Sequence, residues 1–431
     1  MKGLNVRYWR LIVLAGSIGI IVWRAPSLFL EPRLWAEEGT LYFAYAYHFA
    51  NTPEWLNGLI NIQLGYFSLW PNIASTVAAN LFSLEQVPFV TTALALTVQL
   101  MAIAVILWGE SKFWQTPIQK TICVLVVIFV PLSGEIWLNT INSQFVFGLI
   151  AFLILHSNAD VRKPIKWWYR VLLLFSGLTG VVSCFLTPLF ILRALAEKSR
   201  ERAIQMGILV ICVSVQATIQ LLSLKDLVSA RGAGIEWQTL AAILWTQSIG
   251  LTIFGLKNAL RFSALIVSAD AHGSLEFTLI SIIILSVEMM FIIILFICST
   301  PKLSDRMTLI GSYLILIILS ILGSLGTDKF EYVLPGYGQR YFYAPNIILM
   351  LIVAVSIQIS TNLSGLKRQW RSILLAMLLA SSLCWGVSQY GSTTIAGADW
   401  PKWQEQVQMW RENPARPIQI WPPGWQMQLT K

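Results

Sequence analysis

Apolar runs of about 20 residues recur along most of this 431-residue chain and limit its fold more than any other feature. A helix of that length spans the hydrocarbon core of a bilayer. Hydrophobic residues make up 56% of the chain and charged residues only 12%, which is more apolar surface than a soluble protein can bury. The sequence therefore predicts an all-α, polytopic transmembrane protein with about eleven spans.

Short basic clusters between the runs predict the orientation of the chain. The first run, 11–23, follows basic residues and precedes no small-residue cleavage site, so it is interpreted as an uncleaved span and not as a signal peptide. Because basic loops stay on the cytoplasmic side, the N-terminus is expected inside and the C-terminus outside. Residues 171–192 lie between two basic clusters, so they are predicted to turn back as a short hairpin. The expected location is the inner or plasma membrane of a bacterium.

Several segments are predicted to lie outside. The transmembrane domain is predicted at 1–390, and the polar residues of its first external loop, 31–85, favour helices along the membrane surface. The apolar segment 240–254 is predicted to be re-entrant or to lie on that surface. A tail rich in Trp and Pro, 391–431, is too short to bury its own core, so we expect it to pack onto the external loops. Residues 400–412 predict a short helix in this tail.

Two adjacent carboxylates, Glu37 and Glu38, open the first external loop in the stretch WAEEGTLYF. Paired carboxylates can supply a general base or bind a metal, and the proximity of like charges raises one pKa towards a useful range. Acidic residues in the first turn of a helix also interact favourably with the helix dipole. The sequence leaves both interpretations open.

This motif and the layout around it resemble the GT-C superfamily of membrane glycosyltransferases. The resemblance rests on Glu37-Glu38-Gly39 followed by Tyr42 and Phe43, directly after the first span, in a chain of many spans with an external C-terminus. It implies transfer of a sugar from a polyprenyl-phosphate carrier to a saccharide, lipid or protein acceptor of the cell envelope, with one of the two acids as base. The family motif carries Asp, whereas both acids here are Glu. Which of them is the base, and whether it also holds a divalent metal such as Mg²⁺ or Mn²⁺, therefore stays open.

An inverting transfer of a hexose or pentose, as this resemblance implies, needs a cation for the leaving phosphate. Arginine suits this role because it binds phosphate through two parallel N–H groups. Arg340 stands between Gln339 and Tyr341 in a predicted external loop, where aromatic rings can stack on a sugar or simply anchor the chain at the interface. Arg231, beside glycines that allow a close backbone approach, is a weaker candidate for the phosphate.

A second predicted external turn, 133–144, supplies polar side chains beside Trp137. These side chains suit sugar hydroxyls, and they equally suit the capping of two helix ends. The substrate-binding candidates are therefore Arg340, Tyr341, Tyr42, Gln339, Asn142 and Arg231.

The composition also bears on other functional classes. The net charge of +9 is spread over short clusters between spans, which disfavours nucleic-acid binding. A transporter or flippase of lipid-linked saccharides would be expected to show two related halves, and none is evident. An O-antigen polymerase or ligase would be expected to carry its long external loop late in the chain, whereas the long loop here is the first. Both classes remain alternatives to a glycosyltransferase that serves polysaccharide biosynthesis.

Overall fold

The computed structural model describes residues 6–223, 234–272, 274–324, 326, 328–360, 366–390 and 402–430. Within this part of the chain, seven helices are long and apolar enough to cross a membrane: Leu84–Trp108, Arg200–Leu222, Trp237–Ala271, Leu275–Ser299, Leu303–Leu322, Gln339–Gln358 and Gln369–Tyr390. The predicted all-α polytopic class is confirmed. The number of about eleven spans stays a prediction.

The first half of the chain alternates long helices with a structured loop. Its α-helices are α1 Val6–Arg24, α2 Ser27–Leu30, α3 Ala44–His48, α4 Leu69–Leu81, α5 Val87–Trp108, α6 Pro117–Ile128, α7 Ser143–Leu155, α8 Lys163–Leu178, α9 Thr187–Glu197 and α10 Arg200–Leu222. A π-helical turn, Glu38–Phe43, precedes α3, and the antiparallel strands β1 Ile62–Gln63 and β2 Tyr66–Phe67 precede α4. Short 3-10 turns occupy Trp55–Ile60, Leu84–Gln86, Gly134–Ile136 and Ser183–Leu186.

The second half adds the remaining helices and a small hairpin. Its helices are α11 Trp237–Ile243, which continues as a π-helix Leu244–Phe254, then α12 Gly255–His272, α13 Ser274–Ser299, α14 Leu303–Leu322, α15 Gln339–Ser360, α16 Leu366–Tyr390 and α17 Trp403–Glu412. A 3-10 turn, Phe330–Val333, lies before α15. The antiparallel strands β3 Ile418–Gln419 and β4 Gln426–Met427 end the described chain.

The predicted hairpin at 171–192 is present. Helix α8 ends at Leu178, and the chain turns back through 179–186 into α9. Gly180 at the apex has φ +75°, and its N–H donates to the Phe67 carbonyl oxygen at 2.9 Å. Away from the apex, each helix of the hairpin forms an ion pair: Arg170 of α8 with Glu201, and Arg193 of α9 with Asp305. Both basic clusters therefore lie at the same end of the bundle, as the charge pattern predicts.

A second hairpin is formed by 237–272, so the apolar segment Trp237–Ala271 consists of two helical arms and not of one continuous helix. The chain turns at Gly255, which has φ +78° and packs against Trp385 of α16. The rings of Trp245 and Phe262 lie 5.6 Å apart, although a continuous helix would separate residues so far apart in sequence by about 25 Å. Residues 246–253 are all buried. The apolar segment 240–254 therefore enters the bundle, as the re-entrant alternative requires.

The described part of the C-terminal tail, 402–430, packs onto the first loop, as the sequence predicts for this segment. Trp403 Nε1 donates to the Leu84 carbonyl oxygen at 2.9 Å, and Arg411 pairs with Glu85 at 2.7 Å. Both segments contribute to one apolar cluster, which includes Leu34, Phe43, Ala46, Val407, Ile418, Ile420 and Met427. The predicted helix is observed from Trp403 to Glu412, and its predicted first residues, 400 and 401, lie outside the described residues.

Candidate active site

The two adjacent acids have different surroundings. Glu38 is only 2% exposed, whereas Glu37 is partly exposed and lines a cavity. Ala36 precedes them with φ +37°, a left-handed conformation that a residue with a Cβ rarely adopts. Glu37 is right-handed helical with φ −60°, and the π-helical turn starts directly after it at Glu38. This local geometry separates a pair that the sequence shows as equivalent.

The carboxylate of Glu38 is fully engaged. It accepts hydrogen bonds from Thr140 N at 2.8 Å, from Thr140 Oγ1 and from Trp35 N at 3.1 Å. Burial raises the pKa of Glu38, and the bonds from Thr140 and Trp35 partly oppose that shift. These contacts join the first loop to the turn 133–144, so a structural role for Glu38 is favoured over a role as base.

The cavity beside Glu37 lies where four parts of the chain meet. It is lined from the first loop, the turn 133–144, the apex of the α8–α9 hairpin, and the adjoining ends of α14 and α15. This end of the bundle carries the predicted external loops and is called the external end below. The lining includes Glu37, Tyr66, Asn142, Gln144, Phe185, Ser320, Arg340 and Tyr341. Its volume of about 50 Å³ is enough for a few water molecules.

Arg340 is the cation of this cavity. Its guanidinium pairs with Glu135 at 3.0 Å and lies 5.1 Å from the ring centroid of Tyr341. Its backbone N–H donates to Glu135 Oε2 at 3.2 Å, and the Glu135 N–H donates to Gln339 Oε1 at 3.2 Å. Glu135 and Gln339 therefore position Arg340. A guanidinium has five N–H groups, so it can bind a phosphate while this ion pair persists.

The other predicted site residues have different surroundings. Asn142 lines the cavity, but its side-chain amide donates to the Glu135 carbonyl oxygen at 2.8 Å, so it also holds the turn together. Tyr42 is 1% exposed and is not among the residues lining the cavity. Burial raises the pKa of Tyr42 well above its usual value, so its phenol stays neutral. Arg231 lies outside the described residues.

The structure adds residues to this site that the sequence interpretation did not select. Tyr66 enters from β2, where its hydroxyl accepts a hydrogen bond from Gln144 Nε2 at 3.2 Å. Glu135 is one of the polar residues of the turn 133–144, and it pairs with Arg340, 205 positions along the chain. The sequence does single out Glu135 as an isolated charge at a predicted bilayer edge, which is a sign of a functional or paired residue. Its partner could not be predicted, because no spacing rule connects Glu135 with Arg340.

The donor set for a divalent metal is limited. Within the described ranges, no group of three or more His, Cys, Asp or Glu side chains comes together. Mg²⁺ is commonly held by one or two carboxylates together with substrate phosphate oxygens and water. Glu37 is the carboxylate in the cavity that fits this second arrangement. A metal there would neutralise part of the charge on a phosphate.

Comparisons with known proteins give structural similarities only. Neither the protein-family models nor the curated proteins contain a match to this sequence. The chain is similar to the Archaeoglobus fulgidus oligosaccharyltransferase solved in complex with Zn and sulfate (TM-score 0.44, 15% identity, 93% of this chain and 55% of that chain). It is also similar to the oligosaccharyltransferase AglB of that archaeon in complex with an inhibitory peptide and a dolichol-phosphate (TM-score 0.40, 14% identity, 96% and 60% covered). This chain thus spans less than two thirds of either structure.

Proposed function

We propose that this protein is an integral membrane glycosyltransferase that moves a sugar from a polyprenyl-phosphate carrier to an acceptor hydroxyl at the external face of a bacterial membrane. The observation that carries the proposal is the meeting of Glu37 and Arg340 in one cavity at the external end. Glu37 also lies close enough to Arg340 to interact with it electrostatically. A carboxylate for the acceptor proton and a cation for the leaving phosphate are the two groups that such a transfer needs.

The proposed reaction is a single displacement with inversion. The Glu37 carboxylate accepts the proton of the acceptor hydroxyl as that oxygen attacks C1 of the donor sugar. The bond between C1 and the phosphate oxygen breaks on the opposite face, and both of its electrons leave with the polyprenyl phosphate. Arg340 stabilises the charge that develops on that phosphate. Glu38 takes no part in proton transfer.

The lining of the cavity suits a lipid-linked donor. Apolar side chains, including Val182, Phe185 and Leu319, form much of the wall on the side of the hairpin apex and the end of α14. Tyr66, Asn142 and Gln144 place polar groups on the other side. An apolar wall with a few polar groups is typical of small-molecule sites. We therefore place the carrier phosphate at Arg340 and the sugar towards Tyr66, Asn142 and Gln144.

The first test is a transfer assay on the full chain in nanodiscs. A panel of radiolabelled polyprenyl-phosphate hexoses and pentoses is supplied together with a membrane extract as acceptor. We expect the label to appear in an acceptor fraction, with inverted configuration at C1. Movement of intact lipid-linked saccharide between leaflets, without cleavage of the sugar–phosphate bond, would instead support a flippase. Joining of preassembled glycans would support an O-antigen polymerase or ligase.

Arg340 provides a prediction about donor binding. Arg340→Gln removes charge-assisted hydrogen bonds worth about 1.5–3 kcal/mol, so kcat/KM for the donor should fall by about 10- to 150-fold. Arg340→Lys keeps the charge but loses the planar fork, so it should lie between that variant and wild type. The measurement is the dependence of the initial rate on donor concentration.

Arg411→Gln is the control for this prediction. Arg411 also pairs with a glutamate, but its side chain is 58% exposed on the tail helix and it does not line the cavity. Its substitution should leave the rate unchanged. An Arg340→Gln enzyme with the donor kinetics of wild type would remove Arg340 from the mechanism.

A further inference from the structure

The C-terminal hairpin is hydrogen-bonded to the residues directly before Glu37. Trp421 N donates to the Leu34 carbonyl oxygen at 3.0 Å, and Ala36 N donates to the Trp421 carbonyl oxygen. Trp35 and Trp421 form a parallel β-bridge. The main chain of the tail is thus hydrogen-bonded to the main chain of the active-site loop one residue before the proposed base.

These hydrogen bonds hold a residue with a strained backbone conformation. Ala36 has φ +37°, and such conformations persist in residues other than glycine only where the surroundings enforce them. Two contacts enforce it: the bond from Ala36 N to Trp421, and the bond from Trp35 N to the buried Glu38 carboxylate. If Ala36 relaxed to a negative φ, the following residues would turn, and Glu37 would no longer face the cavity.

Gly39 explains how the hairpin comes so close. A Cβ at position 39 would lie 2.8 Å from Ile420 Cδ1 and 3.5 Å from Met427 Sδ. Both of these tail side chains are fully buried, so they have little room to move away. The glycine that follows the acidic pair therefore makes space for the tail.

We propose that the hairpin 418–427 is a positioning element for catalysis, which holds Ala36 left-handed so that Glu37 faces the cavity while Glu38 stays buried. This inference rests on the proposed function for the role of Glu37. The hairpin itself touches neither sugar nor phosphate in this scheme. The tail is thus part of the active-site architecture, although the cavity residue nearest to the hairpin along the chain is Tyr341, at the start of α15.

A double-mutant cycle on the full-length protein tests this role. Gly39→Ala places a methyl group against Ile420 Cδ1, and Ile420→Val removes that atom. Gly39→Ala should accelerate amide exchange in the peptide 34–38 by about 10-fold and lower kcat by a similar factor, with KM for the donor little changed. Ile420→Val alone should have a small effect. The double variant should recover both slow exchange and kcat to within about 2-fold of wild type.

Controls separate this role from general destabilisation. Each variant is melted in detergent, and Gln408→Ala on the exposed face of the tail helix should match wild type in every measurement. If amide exchange in the peptide 34–38 is unchanged in Gly39→Ala, the hairpin does not restrain these residues. Faster exchange with wild-type kcat would refute its catalytic role. If the wild-type protein transfers no sugar, the proposed function fails, while the exchange data still decide whether the hairpin holds Ala36.

Discussion

Glu37→Gln is expected to lower kcat for sugar transfer by about 10²- to 10⁴-fold, because a positioned general base contributes a factor of that size. The amide has nearly the shape of the carboxylate but cannot accept the acceptor proton. Glu37 is partly exposed in the cavity, so the substitution should leave the melting temperature close to that of wild type. The measurement is single-turnover transfer in nanodiscs with saturating donor.

Two variants make the result specific to the base. Glu37→Asp keeps the carboxylate but withdraws it by one methylene group, so it should retain more activity than Glu37→Gln. Donor binding, measured without acceptor, should stay within a few-fold of wild type in both variants, because Arg340 is intact. Wild-type turnover in Glu37→Gln would exclude Glu37 as the base.

Glu38→Ala is expected to lower the stability of the protein strongly. The substitution leaves three buried donors without their acceptor: the N–H groups of Trp35 and Thr140 and the Thr140 hydroxyl. Each such donor costs about 1–3 kcal/mol when it is left unpaired. The contact between the first loop and the turn 133–144 should therefore loosen, and tryptophan fluorescence in detergent should show a clear fall in melting temperature.

Glu38→Gln is the matched control, because it preserves size and one acceptor oxygen. It should melt between Glu38→Ala and wild type at neutral pH. The two Gln variants should then differ in kind: Glu37→Gln loses turnover at unchanged stability, whereas Glu38→Gln loses stability and keeps transfer in the molecules that remain folded. A Glu38→Ala protein as stable as wild type would refute the structural role.

The raised pKa of Glu38 predicts a pH dependence of stability. Burial lifts this pKa above its ordinary value of 4.5, so the folded state binds the proton more tightly than the unfolded state. The stabilising contribution is therefore complete below pH 4.5 and is lost as pH rises through the folded pKa. The melting temperature of wild type minus that of Glu38→Gln should increase as pH falls from neutral towards 4.5. A difference that stays constant over this range would contradict the raised pKa.

Much of the fold could be predicted from the sequence, because bilayer insertion acts on composition and local charge. The apolar runs predict the helical membrane class, and the two basic clusters around 171–192 predict that this segment turns back. Gly180 and the end of α8 at Leu178 bear out that prediction. The short tail was expected to pack on the loops because it cannot bury its own core, and it does so through Trp403 and Ile418.

The sequence also selected most of the candidate site, but only as separate residues. The sequence predicts site roles for Arg340, Tyr341, Asn142 and Glu37 from their chemistry and their place next to predicted spans, and the fold gathers them around one cavity. The same argument predicts a site role for Tyr42, which is buried and is not among the residues that line the cavity. A position in a loop indicates the side of the membrane, and it leaves the direction of each side chain open.

The sequence by itself determined the class of fold, the turn of the α8–α9 hairpin and the inventory of acids and arginines. Only the tertiary structure decided between Glu37 and Glu38, because the choice depends on Ala36 at φ +37° and on Thr140, about a hundred residues away, which buries one carboxylate. The pairing of Arg340 with Glu135 was decided in the same way. Periodicity and charge patterns describe neighbours along the chain. Side-chain direction and long-range hydrogen bonds arise only when distant segments pack together.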